Sequence, residues 1–269
     1  MKDLDGRTAV VTGAGNGIGR ATALELARRG CSLALVDLSE SALHVTQQAV
    51  EALGRKATVH PADVSDAARM GQLPDEVVAA HGACHILVNN AGVVSIDRFE
   101  NVSLDDIRWM VDVNLFGVLH GCHFFLPALR QADAAHIVNV SSMAGIVGIP
   151  QNAVYSLTKG GVRAFSEALR AELIGSPIGV STLFPGSVTT DIMDRARGAY
   201  AERLSAFSKT RLSRVMGRPP EAAARQIVKA IERDRARVLL GPDSRTLDVV
   251  ARILPGRTGL IGRVLDRIT

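Results

Sequence analysis

Seven short runs in this chain are apolar almost throughout: Thr8–Thr12, Ser32–Asp37, Ala57–Pro61, His85–Asn89, His136–Val140, Val180–Phe184 and Arg237–Leu240. The segments Ile18–Arg29, Ser41–Leu53, Ala67–Ala80, Leu104–Arg130, Asn152–Ile174 and Pro220–Arg233 repeat their apolar residues with the 3.6-residue period of a helix. Short apolar runs without polar alternation predict strands buried on both faces, and their exchange with helices predicts a parallel sheet. Right-handed crossovers then wind the chain into a doubly wound α/β fold with helices on both faces. Gly30 and Gly54 stand just past helix ends, where a left-handed residue closes a helix. Ser103, followed by Asp105 and Asp106, marks a helix start. No linker, repeat or low-complexity tract divides residues 1–242, which predicts one domain. Two stretches depart from the alternation: Ser187–Gly217, and an amphipathic tail at Asp243–Thr269.

Composition narrows the class. At 269 residues the chain is long for one domain, but parallel α/β folds reach this size around a single sheet. With 47% hydrophobic residues, 4% aromatic and 25 glycines, it suits a Val/Ala/Leu-built sheet with tight turns rather than a β-barrel. The net charge of +4 comes without zinc-finger spacing, an aromatic-basic run or an arginine-rich arm, so nucleic acid is not an expected partner. Three widely spaced cysteines, Cys31, Cys84 and Cys122, form no disulfide framework, and a reducing cytoplasm is expected. With no apolar leader-like run at Met1–Gly6 and no uncharged apolar stretch of about 18–20 residues, neither secretion nor a membrane-spanning helix is expected.

The first strand runs into Thr12-Gly13-Ala14-Gly15-Asn16-Gly17-Ile18-Gly19 and then into a helix. Glycines there let the backbone approach a pyrophosphate, and the helix N-terminus offers N–H groups and the positive end of its dipole. Gly13, Asn16, Gly17, Ile18 and Gly19 are therefore candidate dinucleotide contacts. The GxxxGxG spacing differs from the commoner GxGxxG, but its place between strand and helix is what the fingerprint requires. Asp37 ends the second strand, where a carboxylate accepts from both adenosine ribose hydroxyls and repels a 2′-phosphate. With Asn16 and Leu38 uncharged beside it, NAD is favoured over NADP.

Tyr155 and Lys159 are one helical turn apart and share a face. A free phenol titrates at about 10, too high for a base at neutral pH, and a neighbouring ammonium favours the phenolate. Ser142, just past the fifth strand, is placed to donate to a substrate oxygen on which negative charge develops.

Together, TGxxxGIG at Thr12–Gly19, Asn89-Asn90-Ala91-Gly92, Asn114, Ser142, Tyr155-x-x-x-Lys159 and Pro185-Gly186 resemble the short-chain dehydrogenase/reductase family. The resemblance spans about Lys2 to Gly241. It implies a seven-stranded Rossmann-type sheet, a homodimer or homotetramer, and hydride exchange between a nicotinamide and an alcohol or ketone. The family spacing of 13 residues to Tyr155 selects Ser142 over Ser141. Further roles come only from the resemblance: Lys159 on the nicotinamide ribose, Asn114 holding a relay water, and Asp63 and Val64 at the adenine. Likewise Asn90, Ala91 and Gly92 would line the adenosine ribose, and Pro185, Gly186, Val188 and Thr190 would hold the carboxamide.

His81, Cys84 and His85 lie close in sequence, as do His120, Cys122 and His123, but without ligand spacing, and structural roles are expected rather than a metal. The 187–217 stretch, at the family's substrate lid, carries Arg195, Arg197, Arg203, Lys209, Arg211 and Arg214 against Asp191, Asp194 and Glu202. That surplus fits either an anionic substrate end or a solvated loop, with the loop preferred. The basic amphipathic pattern of Ile253–Thr269 fits packing on the body or a partner subunit better than a lipid surface. A lipophilic secondary alcohol or ketone is the expected substrate. A 3-oxoacyl thioester on coenzyme A or a carrier protein stands behind it, and a non-catalytic nucleotide sensor behind that.

Overall fold

The protein was analysed as a computed structural model that describes residues 1–188, 192, 195–201 and 217–254. The strands are β1 (Thr8–Thr12), β2 (Ser32–Asp37), β3 (Ala57–Pro61), β4 (Ile86–Asn89), β5 (Ala135–Val140), β6 (Ile178–Pro185) and β7 (Arg237–Leu240). The helices are α1 (Gly17–Arg28), α2 (Glu40–Glu51), α3 (Ala67–His81), α4 (Leu104–Val111), α5 (Gly117–Arg130), α6 (Ala153–Glu172), α7 (Pro220–Arg233) and α8 (Pro242–Ile253). The strands form one parallel sheet in the order β3-β2-β1-β4-β5-β6-β7.

Alternate residues of each strand feed two cores. Ala9 and Val11 of β1 join Leu26 of α1 and Ile227 of α7 on one face. Val10 joins Met70 of α3 and Phe125 of α5 on the other. Double-sided burial explains why the strands read as unbroken apolar runs. Each fully buried large side chain, such as Phe125, contributes about 1.5–3 kcal/mol. Gly30 and Gly54 take left-handed φ values of 95° and 73°, and the Ser103 hydroxyl caps α4 by accepting from the Asp106 N–H.

Two features differ from the sequence reading. The predicted helix Leu104–Arg130 is continuous, as expected, but carries a π turn at Asp112–Phe116 between the segments α4 and α5. An apolar period survives one extra residue, so the pattern hides the π turn. The second difference lies past β7. Pro242 occupies the first turn of α8, where its missing N–H costs nothing. The buried Ser244 hydroxyl donates to the Leu240 carbonyl at 2.9 Å, and Asp248 pairs with Arg237 of β7. The start of the presumed tail is therefore a helix fastened to the sheet edge, and the boundary at 242 falls on its first residue. Apart from Ile253 and Leu254, the tail's amphipathic pattern lies outside the described residues.

Candidate active site

The C-terminal ends of β1, β2, β4, β5 and β6 surround a cavity of about 770 Å³. It opens where the strand order reverses between β1 and β4, the crevice in which open α/β sheets take ligands. Gly13, Asn16, Gly17, Ile18, Asp37, Asp63, Val64, Asn90, Ala91, Gly92, Ser142, Tyr155, Lys159, Pro185, Gly186 and Val188 all line it. Gly19 and Asn114 stand one layer behind, and Thr190 lies outside the described residues.

Backbone geometry makes the dinucleotide end. Gly13 has φ +66°, and a Cβ there would stand 2.7 Å from Asn90 Nδ2. A Cβ on Gly19 would collide with the Gly13 carbonyl oxygen, so glycine is what lets α1 press against the turn. The Thr12 hydroxyl accepts from the Asn90 and Ala91 N–H groups at 2.9 and 3.1 Å, and Asn90 Nδ2 donates to the Thr12 carbonyl at 2.9 Å. Asn16 caps α1 without a side-chain hydrogen bond to it, and the first turn carries no acid. Those N–H groups fit a pyrophosphate. The Asp37 carboxylate, 9% exposed, accepts from Gly15 N and Ser39 N at 3.0 Å each, which leaves lone pairs for ribose hydroxyls. Asp63 Oδ1 is committed to Ser65, and Val64 is wedged against Gly117, with its carbonyl 2.9 Å from His120 Nδ1. The residues present thus fit a nicotinamide dinucleotide.

At the other end, the one-turn helix Met143–Gly145 packs on α6. A Cβ on Gly145 would stand 2.5 Å from both the Lys159 carbonyl and Ser141 Oγ. The Ser141 hydroxyl donates to that carbonyl at 2.7 Å, so Ser141 is structural. Ser142 Oγ accepts from Ala144 N at 3.1 Å, and Ser142 and Tyr155 line the same cavity. Desolvation pushes the Tyr155 phenol above its ordinary value, and the Ser142 hydroxyl pulls it back. Lys159, 3% exposed, is drawn down to about 8 by burial, and its Nζ donates to the Val140 carbonyl at 3.0 Å. Its Nζ lies 5.8 Å from the Tyr155 ring centre. Ser142 is thus the group that draws the phenol down here, and Lys159 is directed at a strand carbonyl beside it.

Asn114 sits in the π turn and is fully buried. Its Oδ1 accepts from Val93 N at 2.8 Å, and Nδ2 donates to the Val93 carbonyl at 2.8 Å and to Thr158 Oγ1 at 3.3 Å. Both amide protons are therefore in use, so any water it holds must bond to the remaining Oδ1 lone pair or the main chain. A Cβ on Gly92 would lie 3.2 Å from Asn114 Oδ1 and 3.4 Å from Lys159 Nζ, so the three groups meet at that glycine.

Sequence reasoning missed the wall of the substrate end. Arg197 stacks on Trp109 at 3.8 Å, pairs with Asp106 at 3.0 Å, and exchanges backbone hydrogen bonds with Val94 and Ile96. Ala199 N donates to Asp97 Oδ2 at 3.0 Å, and the Asp97 N–H to the Gln151 carbonyl at 3.0 Å. Gln151 holds a left-handed φ of 62° at the cavity edge, a strain that clusters at functional sites. Asp243 of α8 accepts from Ser187 N at 2.6 Å and crowds Gly186, which fixes the turn after β6. A lone tryptophan and a Gly-Pro-Asp helix start were the only signals in the sequence. His85 Nδ1 accepts from Thr8 N at 3.1 Å and His81 bonds Thr58 at 2.8 Å; among the described residues no cluster could hold a metal.

This fold and site define a dinucleotide-dependent oxidoreductase, and the comparisons agree. The short chain dehydrogenase family profile matches residues 7–201, and the chain belongs to that family, as an enzyme acting on CH–OH groups. It is 35% identical over 256 residues to SadH of Mycobacterium tuberculosis, covering 94% of this chain and 93% of SadH. It is 31% identical to the ketoacyl reductase HetN of Nostoc sp., covering 91% and 82% of the two chains. It is likewise 31% identical to a cyclohexanol dehydrogenase of Acinetobacter sp., covering 88% and 92%. A short-chain dehydrogenase from Burkholderia phymatum, solved with NAD, superposes with a TM-score of 0.87 at 32% identity, covering 94% and 95%. A metagenomic member solved with NADP gives 0.74 at 27% identity, covering 89% and 98%.

Proposed function

We propose that this enzyme interconverts a lipophilic secondary alcohol and its ketone with NAD. The observation that carries this reading is that Tyr155, Ser142 and buried Lys159 line one cavity, together with the apolar Val93, Val94, Ile96 and Met143. The nicotinamide ring, when bound, accepts or supplies the hydride. Tyr155 gives or takes the proton of the substrate oxygen. Ser142 has its oxygen engaged by Ala144 N, so its hydroxyl proton is directed to that same oxygen or the phenol. Lys159 supplies a buried ammonium below about pH 8, and Asn114 holds the Val93 backbone against it.

Replacing Tyr155 with Phe removes the proton and little else. Turnover should fall at least about a thousandfold while NADH binding, read by calorimetry, stays within about twofold. Residual turnover above a tenth of wild type would sink the assignment. Asp37 supports NAD, and a kcat/KM ratio favouring NADP would overturn that part.

A thioester of coenzyme A or a carrier protein is the second reading, supported by the ketoacyl reductase relative. Of the basic surplus, Arg197 is occupied by Asp106 and Trp109, which favours the simpler alcohol. Comparing a panel of cyclic alcohols with 3-oxoacyl thioesters, followed at the NADH absorbance, separates them. We also propose self-association through α5 and α6, with Phe116 in the π turn before α5 45% exposed and Leu157 of α6 64% exposed. A monomer in analytical ultracentrifugation would refute it.

A further inference from the structure

Arg195 stands apart from the other cations of the site. The Asn16 amide, turned so that its oxygen faces the guanidinium, accepts from both terminal nitrogens of Arg195 at 3.3 Å. Asn16 caps α1 at the glycine turn, and its side chain makes no hydrogen bond to the helix. Arg195 lines the same cavity as Gly13, Gly17 and Ile18, and no carboxylate pairs with it among the described residues. A guanidinium that leans on a neutral amide, beside N–H groups aimed into a cavity, is chemically suited to an anion there.

Its position is set from two residues further on. Arg197 N donates to the Val94 carbonyl at 3.0 Å, and Ile96 N donates to the Arg197 carbonyl at 2.8 Å. With the Asp106 pair and the Trp109 stack, these bonds strap residues 197–201 to the loop after β4. Arg195, two residues before the first of these bonds, lines the same cavity and reaches the Asn16 side chain at the glycine turn.

We infer that Arg195 is a clamp for the dinucleotide's pyrophosphate, adding a guanidinium beside the α1 N-terminus. The inference rests on the proposed dinucleotide binding and adds a contact that the glycine turn does not supply. A planar guanidinium can take two phosphate oxygens at once while the Asn16 amide holds its far edge. Because the pyrophosphate is common to both coenzymes, the clamp acts on NAD and NADP alike. A guanidinium placed for the 2′-phosphate would act on NADP alone.

Isothermal titration calorimetry on wild type and Arg195→Gln, with NAD+, NADP+, ADP and adenosine, tests this. The variant should bind NAD+, NADP+ and ADP about ten- to a hundredfold more weakly and adenosine within about twofold. Arg195→Lys, which keeps the charge but loses the fork, should fall between. NAD+ and ADP affinities within twofold of wild type would overturn the clamp, as would a loss confined to NADP+. Equal losses for adenosine would also overturn it, since they would mean a general collapse of the site. Wild-type protein that binds no dinucleotide would overturn the underlying reading together with the clamp.

Discussion

The two ends of the cavity are built by different means. At the dinucleotide end, the contacts are backbone groups and short side chains fixed by strand termini: Gly13, Gly19, the Thr12 hydroxyl and the doubly bonded Asp37. At the substrate end, the wall is a strap joined to distant segments by the Arg197 side chain on Asp106, the Ala199 N–H on the Asp97 carboxylate, and main-chain bonds to Val94 and Ile96. Close-packed backbone tolerates almost no change in volume. Exposed ion pairs and stacks are worth about 1 kcal/mol or less each. One end is thus rigid, and the other is held by interactions that a few substitutions can redraw. Such a division lets one reaction serve many substrates.

That contrast can be broken most forcefully at Gly19. Gly19→Ala drives a methyl into the Gly13 carbonyl and should weaken NAD binding more than a hundredfold, with about 1–3 kcal/mol of overpacking in urea unfolding. Near-normal NAD affinity would show the turn to be less rigid than described. At the junction of the two ends, Ser142→Ala should lower kcat about a hundred- to a thousandfold. Alcohol oxidation needs the phenolate, so its rate rises with pH through the phenol's pKa. Ser142 pulls that value down, so its removal should move the oxidation profile to higher pH; a stationary profile would place the tuning elsewhere. The smallest effect belongs to the strap. Arg197→Ala should raise KM for the alcohol about three- to tenfold and weaken NAD less than it weakens the alcohol. The reverse order would make the strap chiefly a coenzyme device.

The sheet and the dinucleotide end were legible in the sequence because both are local. Each strand is a short run, and Gly13–Gly19 is one turn of chain whose backbone needs glycine whatever the rest does. Tyr155 and Lys159 were legible because helical spacing alone puts them on one face. The direction of Lys159 was not, since it depends on a Val140 carbonyl two elements away. The π turn was invisible to a period that runs through it. The strap was invisible because Arg197 reads as one more lid charge until Trp109 and Asp106 are seen beneath it.

Asp243 has a consequence for how the enzyme comes into being. Its carboxylate holds the Ser187 N–H and crowds Gly186, so the turn after β6 takes its final form only once α8 has docked. The glycine turn and β1 rest instead on α7, which joins Ala9, Val11 and Leu26 through Ile227 and precedes residue 243. A chain stopped short of residue 243 should therefore keep the packing beneath the glycine turn and lack a finished turn after β6.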